Sequence, residues 1–327
     1  MMNLETTYLG LKLKNPLVPS ASPLSRDLDT ARRLEDAGAA ALVMYSLFEE
    51  DVLAEEEQLT GLMDFQDLGH GEADTYLPLH PDYKTGLDEY LEQLQALKSS
   101  LDIPVVASLN GATESGWVEH GRELEQAGAD ALELNVYSLP AVEDSAEVVE
   151  GRYINILRQL KSHVQIPVTV KLSPYFTSLG YFVRQLETAG ADGVVLFNRF
   201  YQPEMNLDTL DVEPQLHLSQ PYESLLRMHW IARLYDKVGL SLAATGGIHG
   251  AQQVLKMLLA GASVAHVCAV LLQRGPEVIG EILQDMTQWM EEKEYESVNQ
   301  LMGSACQVNA IDPEAWDRMN YIKTLRS

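Results

Sequence analysis

One short pattern occurs four times in this chain: a helix-like stretch ends in Ala-Gly-Ala, and an apolar run follows at once. Glycine suits the left-handed residue that ends a helix, and a run too short for a helix and rich in branched residues suits a buried parallel strand. Helix, glycine and strand in repetition predict an α/β fold, the TIM (β/α)8 barrel. The glycines of the four repeats are Gly38, Gly128, Gly190 and Gly261.

The 327 residues are predicted to form one domain, residues 1–327, because no linker, low-complexity tract or change of composition divides them. This length suits a barrel with insertions. Weak alternation around Gly10 predicts an N-terminal hairpin over the lower end of the barrel, and insertions are expected after strands 2, 4 and 6. The predicted barrel strands are residues 17–21, 41–45, 104–109, 131–136, 167–172, 193–197, 240–245 and 264–268.

The composition excludes several classes of partner and site. A formal charge of −25 argues against binding to nucleic acid or to anionic membranes. No apolar run approaches the ~20 residues that span a bilayer, and the first residues lack the pattern of a signal peptide. The two cysteines, Cys268 and Cys306, have no metal-ligand spacing. We therefore expect a cytoplasmic protein without a metal site.

In a (β/α)8 barrel the chemistry lies at the carboxyl ends of the strands. There the sequence places Thr245-Gly246-Gly247, whose glycines let backbone N–H groups approach an anion closely. The loops after strands 7 and 8 often bind phosphate in barrels, so a phosphate cradle is favoured over a simple tight turn. The candidate residues at the strand ends are Ala21, Ser22, Asn110, Asn135, Lys171, Asn198, Arg199, Thr245, Gly246, Gly247, Cys268 and Ala269.

Lys171 ends a buried apolar strand, where a lysine is costly unless it is paired or functional. It could form a Schiff base, bind an anion, stand beside a flavin ring, or simply reach solvent past the strand end. The three asparagines Asn110, Asn135 and Asn198 offer amide donors and acceptors that suit an imide or urea edge. Such an edge occurs in a flavin ring and in pyrimidine substrates.

The chain resembles the dihydroorotate dehydrogenase family of FMN-dependent (β/α)8 barrels over nearly its whole length. The motifs that carry the resemblance are Asn15-Pro16-Leu17, Glu133-Leu134-Asn135, Lys171-Leu172-Ser173-Pro174-Tyr175-Phe176, Thr245-Gly246-Gly247-Ile248 and Leu271-Leu272-Gln273-Arg274-Gly275-Pro276. The resemblance implies FMN as cofactor, with Lys171 stabilising negative charge near N1 and O2 of the reduced flavin. It also implies a reaction in which a base removes a proton and hydride passes to flavin N5.

The resemblance further assigns roles to the strand-end residues. Ala21 and Ser22 would lie against the flavin ring, and Asn110 would face it. Asn135 and Asn198 would contact flavin or substrate. The FMN phosphate would be bound at Thr245 and by the amides of Gly246, Gly247, Cys268 and Ala269.

The sequence departs from the family pattern on the substrate side. Ser138 falls in the position of the catalytic base, but the Pro-Asn that should follow is Leu139-Pro140. A serine is a poor base unless the site activates it, so Tyr137 and a purely structural loop stay open as alternatives. The Thr-Lys-Ser of the family reads Met44-Tyr45-Ser46 here, and its Leu-Ser-Gly phosphate element reads Leu218-Ser219-Gln220. The flavin half of the site thus matches better than the orotate half.

The leading hypothesis is an FMN oxidoreductase that oxidises dihydroorotate, or a related cyclic substrate, in pyrimidine biosynthesis. Arg199 could bind a substrate carboxylate or form a salt bridge with the acidic segment that follows it. The alternatives are a lyase or aldolase with Lys171 as Schiff base, and a flavin-binding barrel without turnover. We expect a small-molecule substrate and a homodimer, with no nucleic-acid or membrane partner.

Overall fold

The computed structural model describes residues 2–55, 85–111, 117–137 and 139–326. In these ranges, eight parallel strands form one sheet. The barrel strands are β3 (Leu17–Pro19), β4 (Leu42–Phe48), β5 (Val105–Gly111), β6 (Ala131–Val136), β7 (Val168–Leu172), β8 (Gly193–Leu196), β11 (Ser241–Thr245) and β12 (Val264–Val267). Two short hairpins complete the strands: β1 (Thr6–Tyr8) with β2 (Leu11–Leu13), and β9 (Glu204–Met205) with β10 (Val212–Glu213).

From β4 to β12 each barrel strand pairs with the next barrel strand along the chain, and β12 pairs with β3, so that β3 and β4 are the two ends of the sheet. Between β3 and β4, the Ala40 N–H donates to the Leu17 carbonyl over 3.0 Å, which brings the two ends of the sheet together. The prediction of a (β/α)8 barrel is therefore confirmed.

Helices follow the strands and cover the outside of the barrel. They are α1 (Leu28–Asp36), α2 (Gly86–Ser100), α3 (Trp117–Gln126), α4 (Ala146–His163), α5 (Leu179–Thr188), α6 (Ser224–Leu234), α7 (Ala251–Ala260), α8 (Ala269–Arg274), α9 (Val278–Glu292), α10 (Val298–Leu301) and α11 (Trp316–Arg326). None of these helices is long and apolar enough to cross a membrane.

The four repeated glycines end α1, α3, α5 and α7 as the sequence predicts. Their φ angles lie between 103° and 116°, a region that L side chains rarely adopt. The four motifs therefore have one physical cause: each turns the chain from an outer helix into the next buried strand.

The N-terminal hairpin closes the lower end of the barrel. Tyr8, Leu9 and Leu13 are buried in one cluster with apolar side chains from the barrel strands. A Cβ on Gly193 would lie 2.6 Å from Leu9 Cδ2 and 2.9 Å from the backbone carbonyl oxygen of Ser241, so a side chain has little room where the hairpin meets β8. The predicted position of this hairpin is confirmed.

Several boundaries differ from the sequence prediction. Strand β5 continues to Gly111, which places Asn110 inside the strand rather than after it. The insertion at 199–222 contains the hairpin of β9 and β10, which the sequence analysis did not predict. The short helix α8 begins directly after β12 and precedes α9. Most of the insertion after strand 2, residues 56–84, lies outside the described residues.

Candidate active site

Two adjoining cavities open at the carboxyl ends of the barrel strands. The first, here called the glycine cavity, is lined by Gly246 and Gly247 and encloses about 880 Å³ including its open mouth. The second, the asparagine cavity, is lined by Asn110, Asn135 and Asn198 and encloses about 960 Å³ on the same basis. They share the residues Ala21, Ser22, Pro23, Lys171, Asn198 and Tyr201.

Nearly every residue predicted for the site lines one of these cavities. The glycine cavity takes Ala21, Ser22, Lys171, Asn198, Arg199, Thr245, Gly246, Gly247, Cys268 and Ala269. The asparagine cavity adds Asn110 and Asn135. Ser138 lies outside the described residues, between Tyr137, which lines the asparagine cavity, and Leu139. The barrel topology thus brings together residues from seven of its strands or the turns after them.

Gly247 must be glycine because the backbone leaves no room for a side chain. Its φ angle is +76°, and a Cβ there would lie 2.5 Å from the backbone nitrogen of Ser224. The Gly247 N–H donates to the hydroxyl of Ser219 over 3.1 Å. Ser219 belongs to the segment in which this sequence departs from the family's Leu-Ser-Gly, and it nevertheless reaches the glycine turn.

Arg227 is a cavity residue that the sequence analysis missed. Its guanidinium lies against Gly246, where a Cβ would be 2.9 Å from Nη2. Nε donates to the Thr245 carbonyl over 3.0 Å and Nη1 to the Glu223 carbonyl over 2.8 Å. An arginine among the apolar residues Leu225, Leu226 and Met228 of α6 was the available signal, but only the fold shows that it faces the cavity.

The glycine cavity is cationic although the chain carries a formal charge of −25. Lys171, Arg199 and Arg227 all line it, against Glu223 as the acidic residue. Burial lowers the pKa of Arg227, an effect that Glu223 opposes and the neighbouring Arg199 reinforces. An anion bound here would relieve the repulsion between the two guanidinium groups. The cavity is therefore suited to an anionic ligand.

Lys171 is held by a buried carboxylate. Its Nζ donates to Glu133 Oε1 over 3.2 Å, and the Glu133 side chain is fully buried. Glu133 stands on β6 and Lys171 on β7, so the pair bridges neighbouring strands inside the barrel. Since Lys171 lines both cavities, the pair places an ammonium group where the cavities meet.

A second titratable group, His266 on β12, lies behind this pair. Its Nδ1 is 3.8 Å from Glu133 Oε2, and its ring meets Tyr8 edge to face at 5.8 Å. Burial lowers the pKa of His266 to about 4, and Lys171 adds to this while Glu133 opposes it. Within the described ranges, neither His266 nitrogen nor Glu133 Oε2 has a hydrogen-bond partner. Ordered water typically satisfies such buried groups.

His266 should make the stability of the protein sensitive to acid. Its pKa is about 4 in the folded protein and near 6.5 when unfolded, so the unfolded state binds more protons between these values. The free energy of unfolding should hold above pH 6.5 and fall by about 3 kcal/mol as the pH drops from 6.5 to 4. Urea unfolding at several pH values measures this.

The matched variants for that measurement are His266→Gln and His163→Gln. The first should flatten the pH dependence between pH 6.5 and 4, because it removes the buried base. The second changes an exposed histidine at the end of α4 and should keep the wild-type slope. Equal slopes for all three proteins would contradict the role given to His266.

The asparagine cavity presents a fixed amide pair. Asn198 Nδ2 donates to Asn135 Oδ1 over 2.9 Å, and Asn198 Oδ1 accepts from the Arg199 backbone N–H over 2.9 Å. Asn135 is buried. Neither of these two bonds uses the Nδ2 group of Asn135, which can therefore donate to a ligand. Together with Asn110, the cavity can meet the edge of a cyclic amide.

The described residues contain no cluster of three or more His, Cys, Asp or Glu side chains arranged to hold a metal ion. Fold and site together define an α/β-barrel enzyme with a cationic cavity and an amide-lined cavity at the mouth of the barrel.

Comparison with known proteins identifies the family. A model of the family described as Dihydroorotate dehydrogenase matches residues 83–290, well over half of the chain. The chain therefore belongs to the dihydroorotate dehydrogenase family. This confirms the resemblance and the predicted class of enzyme, an oxidoreductase that acts on CH–CH groups.

Individual relatives match over almost their full length. The chain is 25% identical over 317 residues to the catalytic subunit of dihydroorotate dehydrogenase B (NAD(+)) of Thermoplasma acidophilum, covering 93% of this chain and 99% of that protein. It is 26% identical over 320 residues to the subunit of the same name of Shouchella clausii, with the same coverage. Dihydroorotate dehydrogenase A (fumarate) of Lactobacillus delbrueckii subsp. bulgaricus is 26% identical over 316 residues, covering 93% and 98%.

Proposed function

We propose that this protein is an FMN-dependent dehydrogenase that oxidises dihydroorotate, or a closely related cyclic amide, in pyrimidine biosynthesis. The observation that carries the proposal is the position of Lys171, a buried ammonium at the junction of a cationic cavity and an amide-lined cavity. One cavity suits a phosphorylated cofactor, and the other suits a cyclic substrate beside it.

The residues of the glycine cavity fit FMN. Arg227 and Arg199 supply positive charge for a phosphate, and the turn at Gly246 and Gly247 brings backbone close to it. Because Arg199 lines this cavity, we assign it to the phosphate of FMN rather than to a carboxylate of the substrate. Thr245, Cys268 and Ala269 complete the phosphate end, and Ala21 and Ser22 form a wall shared with the asparagine cavity.

FMN, when bound, supplies the acceptor for the hydride that leaves the CH–CH bond of the substrate. Lys171 would hold positive charge where negative charge develops, and Glu133 keeps the ammonium in place. Asn110, Asn135 and Asn198 would orient the substrate through its amide edge. Since Lys171 and Asn198 line both cavities, these residues could act on one reacting centre.

For the base we retain Ser138. Its described neighbour Tyr137 lines the asparagine cavity, which supports a base in this part of the sequence. A serine there needs a partner that takes its proton during the reaction. Tyr137 is the second candidate, since its side chain stands on the same cavity.

The proposal is tested by anaerobic reconstitution with FMN followed by addition of dihydroorotate. We expect the wild-type protein to retain FMN through gel filtration and to bleach its visible absorbance when dihydroorotate is added. Ser138→Ala should retain FMN, while its rate of bleaching falls about 100- to 10,000-fold. A protein that holds no FMN would contradict the proposal as a whole, and unchanged bleaching by Ser138→Ala would move the base to another residue.

The Schiff-base alternative is disfavoured by the ion pair of Lys171. Lys171 Nζ donates to Glu133 Oε1 over 3.2 Å, and this contact occupies the nitrogen that a Schiff-base mechanism would use as its nucleophile. Borohydride reduction in the presence of a phosphorylated ketose should therefore leave Lys171 unmodified in the mass spectrum.

A further inference from the structure

We propose that Arg26, stacked on Tyr45, is the charge partner for a carboxylate of the substrate in the asparagine cavity. The proposal rests on the proposed function and adds a specificity: a carboxylated cyclic amide is selected over its uncharged counterpart. The candidate was not among the residues singled out from the sequence, because residues 26 and 45 belong to different βα units.

The geometry places a guanidinium at the mouth of the cavity. Cζ of Arg26 lies 4.2 Å from the centroid of the Tyr45 ring, and both side chains line the asparagine cavity. Stacking on an aromatic face orients the planar guanidinium and keeps its N–H groups free at the edge. A guanidinium held in this way can bind a carboxylate through two parallel hydrogen bonds.

The Tyr45 ring beneath the Arg26 guanidinium is held in place by its neighbours. The Tyr45 ring packs edge to face on Tyr90, with 4.9 Å between the ring centroids. Tyr90 is fully buried, and its hydroxyl accepts from the Ser108 N–H over 3.0 Å. The orientation of the Tyr45 ring is therefore set from below by the barrel.

The turn that carries Arg26 is also fixed to the barrel. Ser25 is buried, and its hydroxyl accepts from the Tyr45 N–H over 2.7 Å. The Ser25 carbonyl accepts from Gln93 Nε2 over 2.9 Å, which ties the turn to α2 as well. Arg26 directly follows this anchored residue, so the position of its backbone at the rim of the cavity is fixed.

The charges around the cavity leave Arg26 for a ligand. Lys171, the other cation of the asparagine cavity, already pairs with Glu133. Across the described ranges, no ion pair of Arg26 is present. Burial raises the pKa of Tyr45 and the charge of Glu89 adds to this rise, but Glu89 itself stands exposed at the start of α2. A substrate carboxylate would give the Arg26 guanidinium a partner without disturbing the buried pair.

The remaining walls define the body of the ligand. Tyr45, Phe48, Tyr137 and Tyr201 surround the cavity with aromatic rings, and the three asparagines supply amide groups. Flat rings stack on such walls, and a cyclic amide finds donors and acceptors at the asparagines. The ligand class is therefore a planar cyclic amide that carries a carboxylate.

The test compares the binding of orotate and uracil by calorimetry, which needs no turnover. Wild-type protein should bind orotate more tightly than uracil. Arg26→Gln should raise the dissociation constant for orotate about 10- to 100-fold and leave that for uracil within about twofold. Arg26→Lys should give an intermediate loss, because it keeps the charge but not the planar fork.

Further variants separate the stacked pair from general surface charge. Tyr45→Ala should weaken orotate binding, whereas Tyr45→Phe should preserve it, since the ring and not the hydroxyl carries the guanidinium. Arg32→Gln removes an exposed arginine on α1 that pairs with Asp29 and does not line either cavity, so it should leave orotate binding unchanged.

Two results would overturn the proposal: unchanged orotate binding by Arg26→Gln, or equal losses for orotate and uracil. Failure of the proposed function has a different signature, which is absence of FMN in all variants. Wild-type protein that binds neither orotate nor uracil would also overturn the assignment of Arg26.

Discussion

Replacing Lys171 with methionine should lower the free energy of unfolding by about 3–5 kcal/mol. The change leaves the carboxylate of Glu133 fully buried without its ammonium partner, which now stands 3.2 Å away. Breaking a buried pair from one side is far more costly than losing a surface pair, because the remaining charge cannot return to water. Urea unfolding at pH 7 measures the loss.

The double variant Lys171→Met with Glu133→Leu is the matched control. Replacing both members of a buried pair with apolar side chains is often neutral or even stabilising, so the double variant should recover most of the lost stability. A double variant as unstable as Lys171→Met alone would contradict this account of the ion pair.

The same two variants separate the structural role of Lys171 from its role in the reaction. We expect both to reduce bound FMN with dihydroorotate about 100- to 1000-fold more slowly than the wild type, since neither places a cation at the junction of the cavities. Recovery of the reduction rate together with stability would mean that Lys171 serves only the fold.

Gly247→Ala should cost about 3 kcal/mol of stability or more. The residue has a φ angle of +76°, and its new Cβ would meet the Ser224 nitrogen at 2.5 Å and the Gln220 carbonyl oxygen at 2.9 Å. Both are backbone atoms, one in the first residue of α6 and one in the segment that leads into it, so relief requires a shift of the main chain rather than of a side chain. Thermal and urea unfolding should both show the loss.

Gly151→Ala is the control for this substitution. Gly151 stands inside α4, and a Cβ there meets no atom within 4 Å. Alanine should stabilise the helix by about 0.5–1 kcal/mol. If Gly247→Ala were as stable as Gly151→Ala, the turn would have to be far more adaptable than its backbone contacts indicate. Gly247→Ala should also weaken retention of FMN, because the shifted turn borders the glycine cavity.

The sequence was sufficient for the architecture because the signals of a βα repeat are local. A glycine with positive φ at the end of α7 and a short apolar strand after it lie within a few residues of each other. The positions of Asn135, Lys171 and Gly246 at the strand ends then follow from the rule that parallel strands point the same way around a barrel. The same rule brought most of the predicted site to two adjoining cavities.

The interior polar cluster could not be predicted in the same way. Glu133 and His266 each interrupt an apolar strand, which signals a special role but not a partner. Their approach to each other depends on the register of β6 and β12 and on the curvature of the closed barrel. Among the described residues, the buried atoms without a hydrogen-bond partner include Glu133 Oε2 on β6 and both ring nitrogens of His266 on β12, so they come from different strands.

What the sequence determined by itself is therefore the order of helices and strands, the closed (β/α)8 form and the set of residues at its mouth. Tertiary structure alone decided that Arg227 reaches Gly246, that Glu133 holds Lys171, and that Arg26 stacks on Tyr45. The physical reason is distance along the chain: caps and periodicity act over a few residues, whereas a charge meets its partner only when separate βα units are packed into one barrel.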